Sequence, residues 1–247
     1  MSDLFYVPHG NVIEGRVAFT AGESAHILKS CRKGIGDQIR ATDGRGRWMT
    51  ILVTGTRKAV TGRILDSWMS EPEPYRMDVA AGVSKQERMS WLIEKGTEIG
   101  MTTLTPVTTS WSRAQRSRED WEDRLARWRR VSVAALKQSH RPYLPDIRSP
   151  LSLERFLDSV RSDPYDLKVL LDRGEGSRSI GSLLEEGMRR FLILLGPEGG
   201  FDGSEVSRIV ERGFLRARII DRSLRFETAG IAAMAAIAMR FAGEVDR

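Results

Sequence analysis

The sequence predicts an α/β protein, a parallel sheet covered by helices on both faces, preceded by a small β-rich domain. Three observations predict it. From Asp78 onward, apolar runs of strand length alternate with segments of helical period, the rhythm of βαβ units. Before about Ser70, short β-like runs are punctuated by glycines at 34, 36, 44, 46, 55 and 62, as in a small barrel. Between these regions lies Glu71-Pro72-Glu73-Pro74, whose two prolines bar helix and central strand and favour an extended connector. The expected domains are therefore 1–71 and 75–247.

In the first domain, Val17–Thr20 and Gln38–Thr42 read as short strands, Asp43-Gly44-Arg45-Gly46 as a turn, and Trp48–Val53 and Val60–Leu65 as longer strands. One helix is expected over Glu23–Ser30. In the second domain, Asp78–Val83 is a strand and Glu87–Ile99 a helix with Met89, Leu92 and Ile93 inward and Gly100 as its stop. Thr103–Val107 is a strand and Trp121–Gln138 a long helix. On that helix Arg124, Arg127 and Arg130 share one face, and Trp121, Leu125 and Trp128 form an opposing packing stripe. Leu151–Val160 is a helix, Leu167–Leu171 a strand, and Glu185 falls in a short helix.

Phe191–Leu195 is a continuous apolar run, the mark of a strand buried on both faces. Gly196-Pro197-Glu198-Gly199-Gly200 then breaks regularity, and Asp202 with Glu205 three residues on reads as a capping box. Arg218–Asp221 is expected as the next strand, Ser223–Ala229 as its loop, and Thr228–Phe241 as an Ala-rich helix. Two successive strand ends thus place special loops on the carboxyl edge of a sheet, where ligands bind in open α/β folds. The glycine loop is neither G-x-G-x-x-G nor a P-loop, so the common nucleotide fingerprints do not apply.

Composition bounds the partners. Lys+Arg outnumber Asp+Glu by 39 to 33, for a formal charge of +6, which favours a polyanion partner as readily as an ordinary solvated surface. A single cysteine, Cys31, and three scattered histidines give no disulfide and no metal cluster. The first residues lack the basic and apolar regions of a signal peptide, and the apolar segment Ala229–Met239 is too short to span a bilayer. A cytoplasmic location is expected.

Gly196-Pro197-Glu198-Gly199-Gly200-Phe201, followed by Leu224-Arg225-Phe226-Glu227-Thr228-Ala229, resembles the RsmE family. Those proteins are S-adenosylmethionine-dependent methyltransferases of the SPOUT class that modify N3 of a uridine in 16S ribosomal RNA. The likeness extends to Lys85 and Arg88, to Lys95-x-x-Glu98-Ile99-Gly100, to Ser112-Arg113 and to Gln138-Ser139-His140-Arg141 before a proline. Two positions depart from the family pattern in the last loop, Ser223 and Phe226, and Asp3-Leu4 stand where an arginine is usual.

The resemblance implies a PUA-like β-barrel for RNA binding at the N-terminus, a SPOUT domain with a C-terminal trefoil knot, and a homodimer acting on the small ribosomal subunit. It implies S-adenosylmethionine as methyl donor and no metal. Gly196, Gly199 and Gly200 would offer backbone amides to that donor, Leu171, Ile220 and Leu224 would wall its adenine, and Thr228 would bond it. Uridine N3 must lose a proton, so Arg113 and Arg225 are candidates to stabilise the resulting anion, and Glu198, Glu227 or water to take the proton. Lys85, Arg88, Arg141, Lys29 and Arg32 are candidate RNA contacts. A SPOUT enzyme acting on a tRNA 2′-hydroxyl and a non-enzymatic RNA-binding protein are the alternatives.

Overall fold

The computed structural model describes residues 3–109 and 118–242. It divides into two units, Met1–Pro72 with Val133–Leu144, and Glu73–Ser132 with Pro145–Arg247.

The first unit is built on a six-stranded sheet of order β1-β4-β5-β6-β3-β2. Its strands are β1 (Leu4–Tyr6), β2 (Val12–Ile13), β3 (Arg16–Ala18), β4 (Gln38–Thr42), β5 (Arg47–Gly55) and β6 (Thr61–Met69). β1 pairs with β4 in parallel and the other pairs are antiparallel. The sheet curls, because Phe5 of β1 and Val17 of β3, on opposite sides of the central strands, share one core with Ile39, Met49, Ile51 and Val53. The expected helix is present as α1 (Ala21–Ala25), capped by Thr20, running on into a π turn over His26–Ser30.

The sequence placed 75–247 in one uninterrupted domain; in the structure Val133–Leu144 clusters with the first unit instead. The contacts explain it. Lys137 Nζ donates to both carboxylate oxygens of Glu23, at 2.8 and 3.1 Å, and the Tyr143 hydroxyl donates to the Ser70 carbonyl at 2.9 Å. The Leu144 amide donates to the Gly44 carbonyl, and Gly46 lies so close to Tyr143 that a Cβ there would meet its hydroxyl at 2.4 Å and its ring at 2.6 Å.

The second unit holds an eight-stranded sheet, all of whose pairs are parallel. Its strands are β7 (Arg76–Gly82), β8 (Thr103–Thr108), β9 (Asp146–Ile147), β10 (Leu151–Ser152), β11 (Leu167–Leu171), β12 (Arg178–Ser179), β13 (Arg190–Leu195) and β14 (Leu215–Arg218). The order is β10-β8-β7-β13-β11-β14-β12, with β9 beside β8. The helices are α2 (Gln86–Ile99), α3 (Arg118–Ser139), α4 (Leu153–Ser159), α5 (Gly203–Glu211) and α6 (Phe226–Ala238). Side chains alternate across β13: Ile193 and Leu195 join a core with Leu92, Trp128 and Met234, while Leu192 and Leu194 join another with Phe156, Ile209 and Phe214. Both faces are covered, which is why the run is apolar without a break.

Four local expectations change. The last strand is Leu215–Arg218 rather than Arg218–Asp221, because Gly213 at φ 82° turns the chain straight from α5 into pairing with β11. Arg218 instead closes a turn by ion pairing with Asp221 at 2.8 Å. Glu185 lies in no helix; a single 3-10 turn occupies Ile180–Ser182. α6 starts at Phe226, two residues before Thr228, and ends in a 3-10 turn over Met239–Phe241. Arg124 leaves the charged face of α3: its guanidinium lies over Trp121 and Trp128, 5.4 and 5.0 Å from the ring centroids, and donates to the Ser84 carbonyl. Trp128 and Leu125 are buried, as the packing stripe requires.

Candidate active site

Four strands end within one residue of a common row at one edge. The register sets Ala81 of β7 and Leu171 of β11 beside Leu195 of β13, and Ala217 of β14 beside Leu171. The segments leaving β7, β11, β13 and β14 therefore start from a common line. Gly82 makes room for the glycine loop, since a Cβ there would sit 2.4 Å from the Pro197 nitrogen. Beyond the loop the capping box is complete: the Glu205 amide donates to Asp202 at 2.8 Å, and the Asp202 amide donates to Glu205 at 3.0 Å. That closure fixes where the loop rejoins α5.

The loops enclose a cavity of about 480 Å³, lined by Leu171, Gly196, Glu198, Gly199, Gly200, Leu224, Arg225 and Phe226, with Arg88, Asp172, Leu195, Pro197, Phe201, Val206 and Ala229. A smaller space of about 190 Å³ adjoins it, sharing Leu171, Asp172, Leu224 and Ala229 and adding Ile220 and Ser223. Together they gather Glu198 and six of the seven expected donor contacts. The seventh, Thr228, is exposed in the first turn of α6 and lines neither space. Ser223, one of the departures, accepts a hydrogen bond from Arg173 at 2.6 Å, and Phe226, the other, is buried against the cavity. Arg113 lies outside the described residues.

Arg88 stands at the sheet edge that carries the glycine loop, as expected. It lines the cavity from α2, and its Nε stands 3.5 Å from Glu198 and 4.0 Å from Glu227. One guanidinium thus connects the glycine loop to the start of α6. Burial opposes charge on Glu198, but Ser84, the amides of its own loop and of Lys85, and Arg88 outweigh it and hold its carboxyl below the ordinary glutamate value. Such a carboxylate is a weak base, suited to anchoring the loop. Glu227 is more enclosed, and its Oε2 accepts no hydrogen bond among the described residues.

Lys85 caps α2 without a side-chain bond, exposed at the same edge, and its amide reaches Glu198 at 3.5 Å. Lys29 and Arg32 are exposed in the first unit, and Arg141 belongs to that unit as well. Asp172 was missed. It follows the last residue of β11 and pairs with Arg216, with Arg216 Nε donating at 2.6 Å. A carboxylate at the carboxyl end of a predicted parallel strand is the signal that could have found it.

Residues 71–238 match the family model described as RNA methyltransferase domain, more than half of the chain. The chain belongs to this family.

The RNA methyltransferase domain has named relatives. The Bacillus subtilis (strain 168) protein "Ribosomal RNA small subunit methyltransferase E" is 28% identical over 229 residues, covering 89% of this chain and 88% of that protein. A Buchnera aphidicola (subsp. Acyrthosiphon pisum) protein of the same name is 28% identical over 168 residues, 68% of this chain and 65% of its own length. Among solved structures, a "Ribosomal RNA small subunit methyltransferase E from Neisseria gonorrhoeae bound to S-adenosyl methionine" matches with a TM-score of 0.86 at 26% identity, over 98% of both chains. The fold of this RNA methyltransferase is thus the one that the two loops pointed to.

The cavity fits a nucleoside-sized methyl donor. Its volume falls in the range of small-molecule pockets. A Cβ added at Gly199 or Gly200 would meet no atom within 4 Å, so bare backbone faces open space there. Glu227 Oε2, with Arg88 at 4.0 Å, accepts no hydrogen bond among the described residues and has capacity for a donor brought in. Gly196 is different: its Cβ would press on Gly200 at 3.0 Å, so that glycine serves the fold of the loop.

Proposed function

We propose that this chain is an S-adenosylmethionine-dependent methyltransferase that modifies N3 of a uridine in 16S ribosomal RNA. The observation that carries the reading is the cavity formed by the Gly196–Gly200 and Ser223–Ala229 segments, together with relatives that bear the name of small-subunit ribosomal RNA methyltransferases. Leu171, Ile220 and Leu224 form apolar walls, Gly199 and Gly200 present backbone, and Thr228 lies just beyond. S-adenosylmethionine, when bound, supplies an electrophilic methyl group.

The protein's part is positioning and charge. Arg225 is exposed at the cavity rim, where a fixed positive charge stabilises the anion that uridine N3 becomes. Arg113 is proposed to share that task. The N3 proton passes to water or to the Glu227 carboxylate; Glu198, held ionised by its neighbours, is the poorer acceptor. Lys85, Arg141, Lys29 and Arg32 hold RNA phosphates, with the first unit, a PUA-like barrel in this reading, as RNA-binding domain and the second unit as catalytic domain.

A homodimer is part of the proposal. α6 is almost wholly apolar, and Trp91 on α2 and Met239 after α6 remain 61% and 75% exposed. No described helix is long and apolar enough to cross a membrane, and a ribosomal substrate places the enzyme in the cytoplasm. The deciding experiment offers purified protein and labelled donor to unmodified small subunits and to free 16S RNA, with mass spectrometry of the methylated nucleotide. Methyl on uridine N3 is expected; methyl on a ribose hydroxyl would replace this reading with the 2′-O one.

A further inference from the structure

The curled sheet of the first unit has an outer face that its core does not explain. On β5, Met49, Ile51 and Val53 point inward and are buried, so Trp48, Thr50 and Leu52 point outward. Trp48 is paired across the strands with Trp68 of β6. The two rings stack, with centroids 6.2 Å apart and planes 16° from parallel. The Trp48 indole donates to Ser70 at 2.8 Å, which fixes the ring, while Trp68 stays 42% exposed. The Arg40 guanidinium, from β4, lies over both rings at 5.3 and 5.8 Å. It forms no ion pair among the described residues.

A second observation concerns charge on the same face. Two rows along, Leu52 pairs with Arg63, and Arg63 is directly opposite Arg16 of β3. Both arginines are exposed and neither has a carboxylate partner among the described residues. Like charges directly opposite in a sheet destabilise it. An arrangement that costs stability in the free protein and gathers unpaired guanidinium groups beside an aromatic platform is what a single-stranded polyanion with flat bases would recognise. Asp66 shares the face, in the row between, and is the one acidic interruption.

From this we infer that the outer face of β4-β5-β6-β3 is a binding track for single-stranded RNA. A base stacks on the Trp48–Trp68 pair, and the adjoining phosphates meet Arg40, then Arg63 and Arg16. At roughly 3.3 Å per residue, the tryptophan row and the Arg63 row lie about 13 Å apart, the span of about two nucleotides. The inference rests on the reading that the substrate is RNA. It assigns base stacking and phosphate neutralisation to separate residues, which makes it separable by experiment.

The test uses the full-length chain and a short fluorescein-labelled single-stranded oligoribonucleotide, followed by anisotropy over a salt series. Trp68→Ala should weaken binding roughly tenfold, while Trp68→Phe, which keeps a stacking ring, should stay close to the parent. Arg63→Gln should lower the slope of log affinity against log salt by about 0.7, the share of one phosphate on a single strand. Affinity unchanged in Trp68→Ala, an RNA duplex binding as tightly as the single strand, or polyglutamate displacing the probe as well as unlabelled RNA would each overturn the inference. If Trp68→Ala does not fold, an unchanged salt slope in Arg63→Gln overturns it instead. Methyl transfer to small subunits is measured in parallel. RNA binding that depends on Trp68 without any transfer would count against the proposed function alone, and transfer without that dependence against the track alone.

Discussion

At the cavity, charge is concentrated on few residues, and their surroundings separate their roles. Arg225 precedes α6 as its N-cap yet makes no side-chain cap, and its guanidinium forms no ion pair among the described residues, which fits the role proposed for it. Arg225→Ala is expected to cut turnover about a hundredfold, in line with losing one charged stabiliser, with donor affinity within about twofold of the parent. Single-turnover kinetics beside calorimetry with S-adenosylhomocysteine read the two apart, and equal losses in both would remove the catalytic role. Arg88 differs in its surroundings, because it stands between two carboxylates. Glu198 titrates below the ordinary glutamate range in the folded loop, so its contribution is present above that range and lost as pH falls through the lowered value. Donor affinity should therefore fall on acidification below the usual glutamate range, and Glu198→Gln should flatten that fall. An unchanged profile in the variant would show that the loop does not depend on this carboxylate.

At the scale of elements, the sheet is tied by polar contacts that no periodicity shows. Asp78 on β7 is 2% exposed, and its Oδ2 accepts from Arg76 Nε and from the Tyr165 hydroxyl, both at 2.7 Å. Burial and the neighbouring Asp78 push the Tyr165 hydroxyl well above its ordinary value, so it remains a donor throughout the usable pH range. Tyr165→Phe is expected to destabilise the second unit by about 2 kcal/mol, the worth of a hydrogen bond to a buried charge, read as a lowered urea midpoint at constant slope. A midpoint unmoved within error would show that Arg76 alone satisfies the carboxylate. The contrast explains what could be read beforehand. Leu167–Leu171 and Asp202–Glu205 were legible because period and capping chemistry are local. The last strand was misplaced by three residues because Gly213 and the pairing with β11 decide its start, and pairing is tertiary. The insertion of β13 between β7 and β11, which makes the cavity possible, left no mark in the pattern. Arg88 was legible as a residue of α2 near the glycine-loop edge, but its two carboxylate neighbours were not, since both come from more than a hundred residues away.

For the whole chain, the instructive case is Val133–Leu144, which breaks the rule that a domain is one stretch of sequence. The proline-rich connector was legible, and the two units do part between Pro72 and Glu73. Yet the first unit is incomplete without the end of α3. Glu23, whose side chain is 9% exposed, gives one oxygen to the Tyr6 amide and both to Lys137. Without Lys137 that charge is buried and unpaired, and removing one partner of such a pair costs about 3 kcal/mol. Tyr143 and Leu144 also leave, uncovering Gly46 and the Ser70 and Gly44 carbonyls. A fragment of residues 1–72 should therefore unfold well below the first unit of the intact chain, whereas the same fragment fused through a short glycine linker to residues 133–144 should regain most of that stability. Hydrogen exchange of the β4 and β5 amides in all three proteins reads this directly. Equal protection in the bare fragment would show that the curled sheet stands alone, and that the segment from α3 only rests on it.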